Sequence, residues 1–553
     1  MSGTTGDRMT GAGLLLAAML RRDRLVVLLW ILGIAGLWAA GLAGVSAGFD
    51  ESARRQLVAL LAAQPALMLV RGAPSGTGLG AVLFVSTFAY LGLMIALMMT
   101  FFGVRHSRGD EDAGRAELIR GTAVGRWATL TATVAAGAIE LVLVCGVVLA
   151  ASLAFGLPAR GAWLMAVGLF GLGALAMLVG LLAGQAMPTS RSANSTAAMV
   201  VGAWFIVRGI GDAMGEASAD LTHVEPAWPV WASPIGWVTV AHPFADAPWS
   251  PDGTPLLLLL AAAAVALGVV VVLLESRREL GRSLFAERAG RARGSRALGW
   301  NPGGAPIGLV LRLQLGITIA WIVVGAVIGA LAGRIGPVVA DALGDNPAVL
   351  AIIERLGSEG GDTADLFISA LAGVVVLVAC AAALQGTTRL RHEEVAHGEV
   401  VLATTVRRRG WMVGHTVIAG AAALATLAAF TVSSGISIAT AGESRWQQLW
   451  SIALSQLPLV AIYLAVGAAL VAFLPSTVSW LGWVLLFGLM LAGQFAPLFG
   501  EAWEWVENLS PFHWVADPLA AEPDWTGSWW LLGIAAVMLV AALWRYRRRD
   551  ALV

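Results

Sequence analysis

The sequence predicts an all-α polytopic membrane protein, with twelve transmembrane helices in two tandem six-helix repeats and both termini cytoplasmic. Composition supplies the first part. Apolar residues are 58% of the 553 positions and charged residues 13%, with mean hydropathy +0.79, so the chain needs lipid as its solvent. A recurring stretch supplies the second. Residues 105–127 are charged and helix-like between two long apolar runs, and a shift of about 282 positions onto residues 389–408 lays Glu117 on Glu399, Thr122 on Thr404, Val124 on Val406 and Arg126 on Arg408. Orientation comes from arginine: with the amino terminus inside, 27 of the 35 arginines fall on the inner side and 8 on the outer side, as the positive-inside rule requires.

In chain order, the basic residues Arg21, Arg22 and Arg24 precede a first apolar run, 25–47. Val45-Ser46-Ala47 could be read as a signal-peptidase site, but the run is too long for a signal sequence and its loss would break the twofold pattern. Residues 51–71 mix apolar and charged positions at helical spacing, which suits a helix along the outer membrane surface or a plain loop. Spans at 79–102, 127–155, 163–186, 193–210 and 256–274 follow, Arg208 lying close enough to the end of its span to snorkel. The stretch before the sixth span contains Trp228, Trp231, Trp237 and Trp249 but no arginine, as expected of an aromatic belt on the outer side.

The first half thus covers 1–274, a basic cytoplasmic linker 275–306, and the second half 307–553 with spans at 313–331, 366–384, 412–432, 449–473, 478–498 and 529–544. Ser233-Pro234-Ile235-Gly236-Trp237 before the sixth span is answered by Ser510-Pro511-Phe512-His513-Trp514 before the twelfth, both expected as outer-face elements. Six spans per half make the repeat parallel, about an axis along the membrane normal.

Chemistry-bearing residues are few. The chain has no lysine, so it cannot carry a phosphate-binding loop of the Gly-x-x-x-x-Gly-Lys-Ser/Thr kind. Cys145 and Cys380 sit in apolar runs and read as small buried hydrophobes; no metal site is visible, and the seven histidines are expected at the surface. Glu140, mid-span in the third helix, is a costly intramembrane carboxylate that should face the bundle interior, in a functional or a structural hydrogen-bonding role. In residues 105–127 acidic side chains come early and basic ones late, matching a helix macrodipole, with Leu118 and Ile119 as apolar contacts. A solvated loop is the plain alternative, against which the recurrence in the second half weighs.

With its two charged stretches, Asp112 to Glu117 and Glu393 to Glu399, its paired Ser-Pro-x-x-Trp segments and its tandem spans, the chain resembles permease subunits of actinobacterial ABC-2-like exporters of the tetronasin-resistance, polyketide-antibiotic type. The resemblance covers nearly the whole chain. It implies a permease in the bacterial plasma membrane that moves an amphiphilic or hydrophobic compound outward, with two copies of a separate ATPase that bind ATP and Mg. It implies no catalytic residue and no cofactor in this chain, and no nucleic-acid partner. The two charged stretches would be coupling helices, carried by Asp112, Arg115, Glu117 and Arg126 in the first half and Glu394, His397, Glu399 and Arg408 in the second. They differ, with His397 where Arg115 stands and Arg407 for Gly125. A proton-coupled secondary multidrug transporter is the alternative; it would want several intramembrane carboxylates where Glu140 is one convincing candidate. A membrane-embedded transferase or hydrolase would need a catalytic constellation that the sequence does not display.

Overall fold

The computed structural model describes residues 8–48, 50–63, 65–245, 254–278, 281–285, 305–343, 363–440, 442, 444–495, 504–516, 518 and 523–549. The chain divides into two compact units, Met1–Ala289 and Gly290–Val553. Among the described residues ten helices are long and apolar enough to cross a membrane. The protein is an all-α multi-pass membrane protein. Two further expected spans, 366–384 and 478–498, fall in helices whose side chains lie partly outside the described residues.

The first unit contains α1 (Ala12–Gly48), α2 (Glu51–Ala63), α3 (Pro65–Arg71), α4 (Leu79–Arg105), α5 (Arg108–Asp112), α6 (Arg115–Arg120), α7 (Ala128–Ala154), α8 (Ala159–Ala186) and α9 (Ser190–Ala213). A two-stranded hairpin follows, β1 (Glu216–Ala217) antiparallel to β2 (Val224–Glu225), then α10 (Pro234–Val240) and α11 (Thr254–Arg277). Burial ranks the spans: 72% of the apolar window of α4 and 67% of that of α8 are covered by protein, against 11% of that of α11. So α4 and α8 form the core and α11 is left for lipid. Glycine brings the two core helices together, since a Cβ on Gly103 would lie 2.5 Å from the Met177 carbonyl oxygen and one on Gly180 2.2 Å from that of Thr100. Backbones this close gain van der Waals contact, which in lipid replaces the hydrophobic drive between helices.

The second unit contains α12 (Ile307–Leu343), α13 (Thr363–Leu402), α14 (Arg408–Ala439), α15 (Trp446–Ser455), α16 (Leu457–Phe473), α17 (Val478–Phe495), α18 (Glu504–Leu509) and α19 (Thr526–Arg548). Its tightest seam is a glycine ladder. Cβ atoms on Gly325, Gly329 and Gly333 of α12 would lie 2.5, 2.3 and 2.5 Å from the carbonyl oxygens of Thr426, Phe430 and Ser434 on α14. The four-residue spacing puts all six residues on facing stripes. Ser434 Oγ donates to the Gly329 carbonyl at 2.9 Å and Ser437 Oγ to that of Ala330 at 3.0 Å.

Two expectations are corrected, and the helical alternative for 51–71 is the one the structure shows. The first helix starts at Ala12, so Arg21 to Arg24 lie inside it rather than before it, because a helix can project past the bilayer when its charges find partners. Arg208 does not snorkel: it is buried, its Nη1 2.9 Å from Asp212 Oδ2, and it donates to the carbonyls of Leu69 and Val70 that end α3. A carboxylate one turn away and uncapped carbonyls supply what the interface would have supplied. The residues of 51–71 form α2 and α3 with Val58, Leu61 and Met68 buried; Asp50 caps α2 by accepting from Ala53 N–H at 2.7 Å.

The Ser-Pro segments have related local geometry. Ser233 caps α10 with Pro234 at its first position, and Trp237 Nε1 donates to the carbonyl six residues back, of Trp231, at 2.7 Å. Ser510 opens a 3-10 turn, Pro511–Trp514, whose Trp514 Nε1 likewise donates to the carbonyl six residues back, of Asn508, at 2.9 Å. Both serines are fully buried.

Two outcomes follow. Gly329→Ile drives a branched side chain into the Phe430 carbonyl and should cost about 3 kcal/mol or more, read as a lowered melting temperature in detergent, whereas Gly316→Ile, open on every side, should change little. The arginine count predicts that the ends bearing the Ser-Pro segments face outside the cell. Cysteines at exposed Ala219 and Leu509 should then react with an impermeant thiol reagent in intact cells, over a low background because Cys145 and Cys380 are buried. Labelling only after lysis would invert the orientation.

Candidate functional site

At the end of α4 the first charged stretch is bound to the bundle by ionic contacts from several helices. Asp23 of α1 is buried and lies 2.7 Å from His106 Nε2 and 3.1 Å from Arg105. Arg22 Nη2 lies 2.9 Å from His106 Nδ1. A guanidinium can only donate, so Nδ1 accepts and the ring is the Nε2–H tautomer, donating to Asp23. Arg22 and Arg115 both hold Asp110, at 3.0 and 2.7 Å. Buried Arg108 donates to the Gly184 carbonyl of α8 at 2.9 Å and pairs with Glu111 at 2.8 Å, and Glu111 also binds Arg278 beyond α11. Asp112 accepts from Ser190 N–H at 2.6 Å, where a carboxylate meets the positive end of α9.

Between α5 and α6 the chain reverses at Gly114, whose φ of +69° is costly for any residue with a Cβ. The reversal carries Glu117 and Leu118 outward. Leu118 is 75% exposed, and the Glu117 carboxylate has no partner among the described residues. Arg126 donates to the Ser276 carbonyl and stacks over Trp127 at 5.6 Å.

The second charged stretch is built differently. The sequence suggests a separate short helix; the structure continues α13 without a break from Thr363 to Leu402. The position matching Gly114 in the 282-residue shift is Ala396, which has no access to the left-handed turn and keeps the helix running. Glu394 is buried against the last helix: it accepts from Tyr546 Oη and from Arg549 at 2.6 Å, and Arg549 also binds the Val471 carbonyl. Arg408 donates to the Arg549 carbonyl at 2.6 Å, and His397 lies 3.4 Å from Glu393. Glu399 is exposed with no side-chain partner among the described residues, next to Val395 and Val400, each 73% exposed, along a groove of about 420 Å³.

Of the eight residues expected at the coupling stretches, then, Asp112, Arg115, Glu394, His397, Arg126 and Arg408 are engaged within the chain, and Glu117 and Glu399 are turned out. Glu140 on α7 is buried, with one carboxylate oxygen lacking a hydrogen-bond partner among the described residues. Sequence reasoning missed Asp23, His106, Arg278, Tyr546 and Arg549. His106 and also His415, which stacks edge-on against Trp411, are buried rather than at the surface. Asp23 and His106 are 83 residues apart and neither alone marks the other; an aspartate inside an arginine run that leads into an apolar helix was the available signal.

The sequence that builds these elements is similar to that of known proteins. A family model described as the C-terminal domain of the multidrug efflux system permease Rv1217c matches residues 304–547. The multidrug efflux system permease protein Rv1217c of Mycobacterium tuberculosis (strain ATCC 25618 / H37Rv) is 33% identical over 565 aligned residues, covering 99% of this chain and 96% of that protein. The chain belongs to this family of efflux permeases. For a permease of this family, the geometry separates side chains that hold the charged elements in place from those available to a partner.

That separation is measurable. Asp23→Ala leaves His106 and two arginines without their buried carboxylate, and Glu394→Ala strands Arg549; each should destabilise the protein by roughly 3–5 kcal/mol. Glu117→Ala and Glu399→Ala should stay within about 0.5 kcal/mol of wild type in the same thermal or denaturant assay.

Proposed function

We propose that this chain is the transmembrane subunit of an ATP-driven exporter in the bacterial plasma membrane, moving an amphiphilic or hydrophobic drug-like or lipid-like compound out of the cell. ATP, with Mg, is bound and hydrolysed on two copies of a separate ATPase subunit, one at each charged stretch. Both termini are cytoplasmic and twelve spans form a tandem repeat. The observation that carries the reading is the pairing of opposites in each charged stretch: an ionically fixed root, and an exposed carboxylate beside exposed apolar side chains. A fixed root transmits a push to the spans on either side, and an apolar surface with a charged rim is what a specific protein partner needs.

Support for the tandem build comes from matched contacts. A shift of 291 positions lays Leu20-Arg21 on Leu311-Arg312, Asp23 on Gln314, Trp30-Ile31 on Trp321-Ile322 and Trp38 on Gly329. Asp23 binds His106, the residue that ends α4, and Gln314 Nε2 donates to the Gly386 carbonyl on α13 at 3.0 Å, so each ties the first helix of its unit to the segment that follows the next expected span. Trp38 donates to Ser152 Oγ at 2.9 Å, while Ser434, which the 282-residue shift pairs with Ser152, donates to Gly329.

The test is charge reversal at the two exposed carboxylates. Glu117→Arg with Glu399→Arg should leave the permease inserted and folded but weaken ATPase co-purification and abolish substrate-stimulated hydrolysis, a desolvated charge pair at such a seam being worth roughly 2–5 kcal/mol. Single reversals should differ in severity, because the two stretches differ in build. Normal ATPase binding and export by the double variant would reduce both stretches to solvated loops. Transport that survives ATP depletion but collapses with the proton gradient would favour a proton-coupled mechanism through Glu140.

A further inference from the structure

We propose that the first unit holds a specific site for one anionic phospholipid with a hydroxylated headgroup, its acyl chain lying between α7 and α11 and its headgroup at Arg126. The inference needs only that the chain sits in a bilayer and does not rest on ATP-driven export. An open apolar groove of about 800 Å³ runs along these helices, lined by Trp127, Val134, Ala138, Leu178, Val265 and Val272 among others. From Trp127 to Ala138 it extends roughly 16 Å at 1.5 Å per residue. That is about half of a 30 Å hydrocarbon core, the depth of one leaflet. Gly268 leaves its floor open: a Cβ there would meet only Leu178, at 3.9 Å.

The groove ends in a polar pocket, with Leu130 lining both. The carboxylates of that pocket are already neutralised, Asp110 by Arg22 and Arg115, Glu111 by Arg108 and Arg278, and Glu275 by Arg120. Arg126, which also lines it, has no carboxylate partner among the described residues, and neither do exposed Arg8 and Arg277 near the same end. The rim is therefore cationic in excess. Two residues that line the pocket each carry a buried atom with no hydrogen-bond partner among the described residues: Gln185 its Oε1, an acceptor, and Arg278 its Nε, a donor. Buried polar atoms are ordinarily satisfied, so the pair calls for a ligand that both accepts and donates. A phosphate with an adjacent hydroxyl does both. A choline headgroup has the phosphate but no donor.

The experiment is native mass spectrometry of the full-length permease, without ATPase, released from nanodiscs of equal phosphatidylglycerol and phosphatidylcholine. Wild type should retain one phosphatidylglycerol per chain, at least fivefold over phosphatidylcholine. Gly268→Phe, which fills the groove, should lose that lipid at least fivefold, while Gly146→Phe on the open face of α7 retains it. Arg126→Gln should bring the two lipids to parity. Melting temperatures close to wild type show that each variant is folded. Equal retention in all four proteins, or a lipid-free dimer as the released species, would overturn the proposal; the second would mean that another copy of the chain covers the groove.

Discussion

Burying a charge costs several kcal/mol unless a partner is buried with it, and that constraint shapes the arginine-rich end of the first unit. Asp23, His106, Arg108 and Asp110 are each nearly inaccessible to solvent and each is satisfied by a residue from another part of the chain. Asp23, His106 and Asp110 share Arg22, so the loss of one loosens the others, while Arg108 fixes Glu111 and the Gly184 carbonyl. The charged stretch therefore behaves as an extension of the bundle rather than as a loop tethered at two points, and the small portion that carries Glu117 and Leu118 is the part left over once every buried charge has been matched.

The second unit meets the same requirement by another route. Its charged stretch is the last few turns of a 40-residue helix, and its two buried carboxylates are matched separately, Glu393 by Arg389 one turn away and Glu394 by Tyr546 and Arg549. In the first unit the corresponding stretch is articulated at His106 and again at Gly114. The helix seams differ in the same spirit. A tryptophan-to-serine hydrogen bond spaces α1 from α7, whereas a glycine ladder draws α12 onto α14. In the proposed exporter the ATPase would meet a bent handle on one half and a straight one on the other, which gives the partner two mechanically unlike contacts.

Polar groups within the spans divide along the same lines. Arg208 and Asp212 pair with each other and Arg208 ends a neighbouring short helix, which gives them a structural role even though Arg208 Nε and Asp212 Oδ1 have no hydrogen-bond partner among the described residues. Glu140 is buried with a carboxylate oxygen that has no hydrogen-bond partner among the described residues, a costly arrangement within a span. At the opposite end of the first unit, the exposed indoles of Trp228 and Trp231 sit beside buried Ser233 and Pro234, an apolar root with an amphipathic tip.

By itself the sequence determined the solvent and the class, because hydropathy is a local property that survives without knowledge of contacts; arginine placement and the recurring charged stretch gave the expectation of an orientation and a tandem plan. It also identified Glu117 and Glu399 as members of the charged stretches, though it ranked them equally with six neighbours. Only the tertiary structure decided which of those eight are spent on internal partners, since Glu394 meets Arg549 across 155 residues and Asp112 meets Ser190 across 78. The burial of Arg208 and His106 was likewise beyond the sequence: an arginine near a helix end and a lone histidine default to the interface, and it takes Asp23 brought beside His106, and the Leu69 and Val70 carbonyls brought beside the Arg208–Asp212 pair, to make the interior the cheaper place for them.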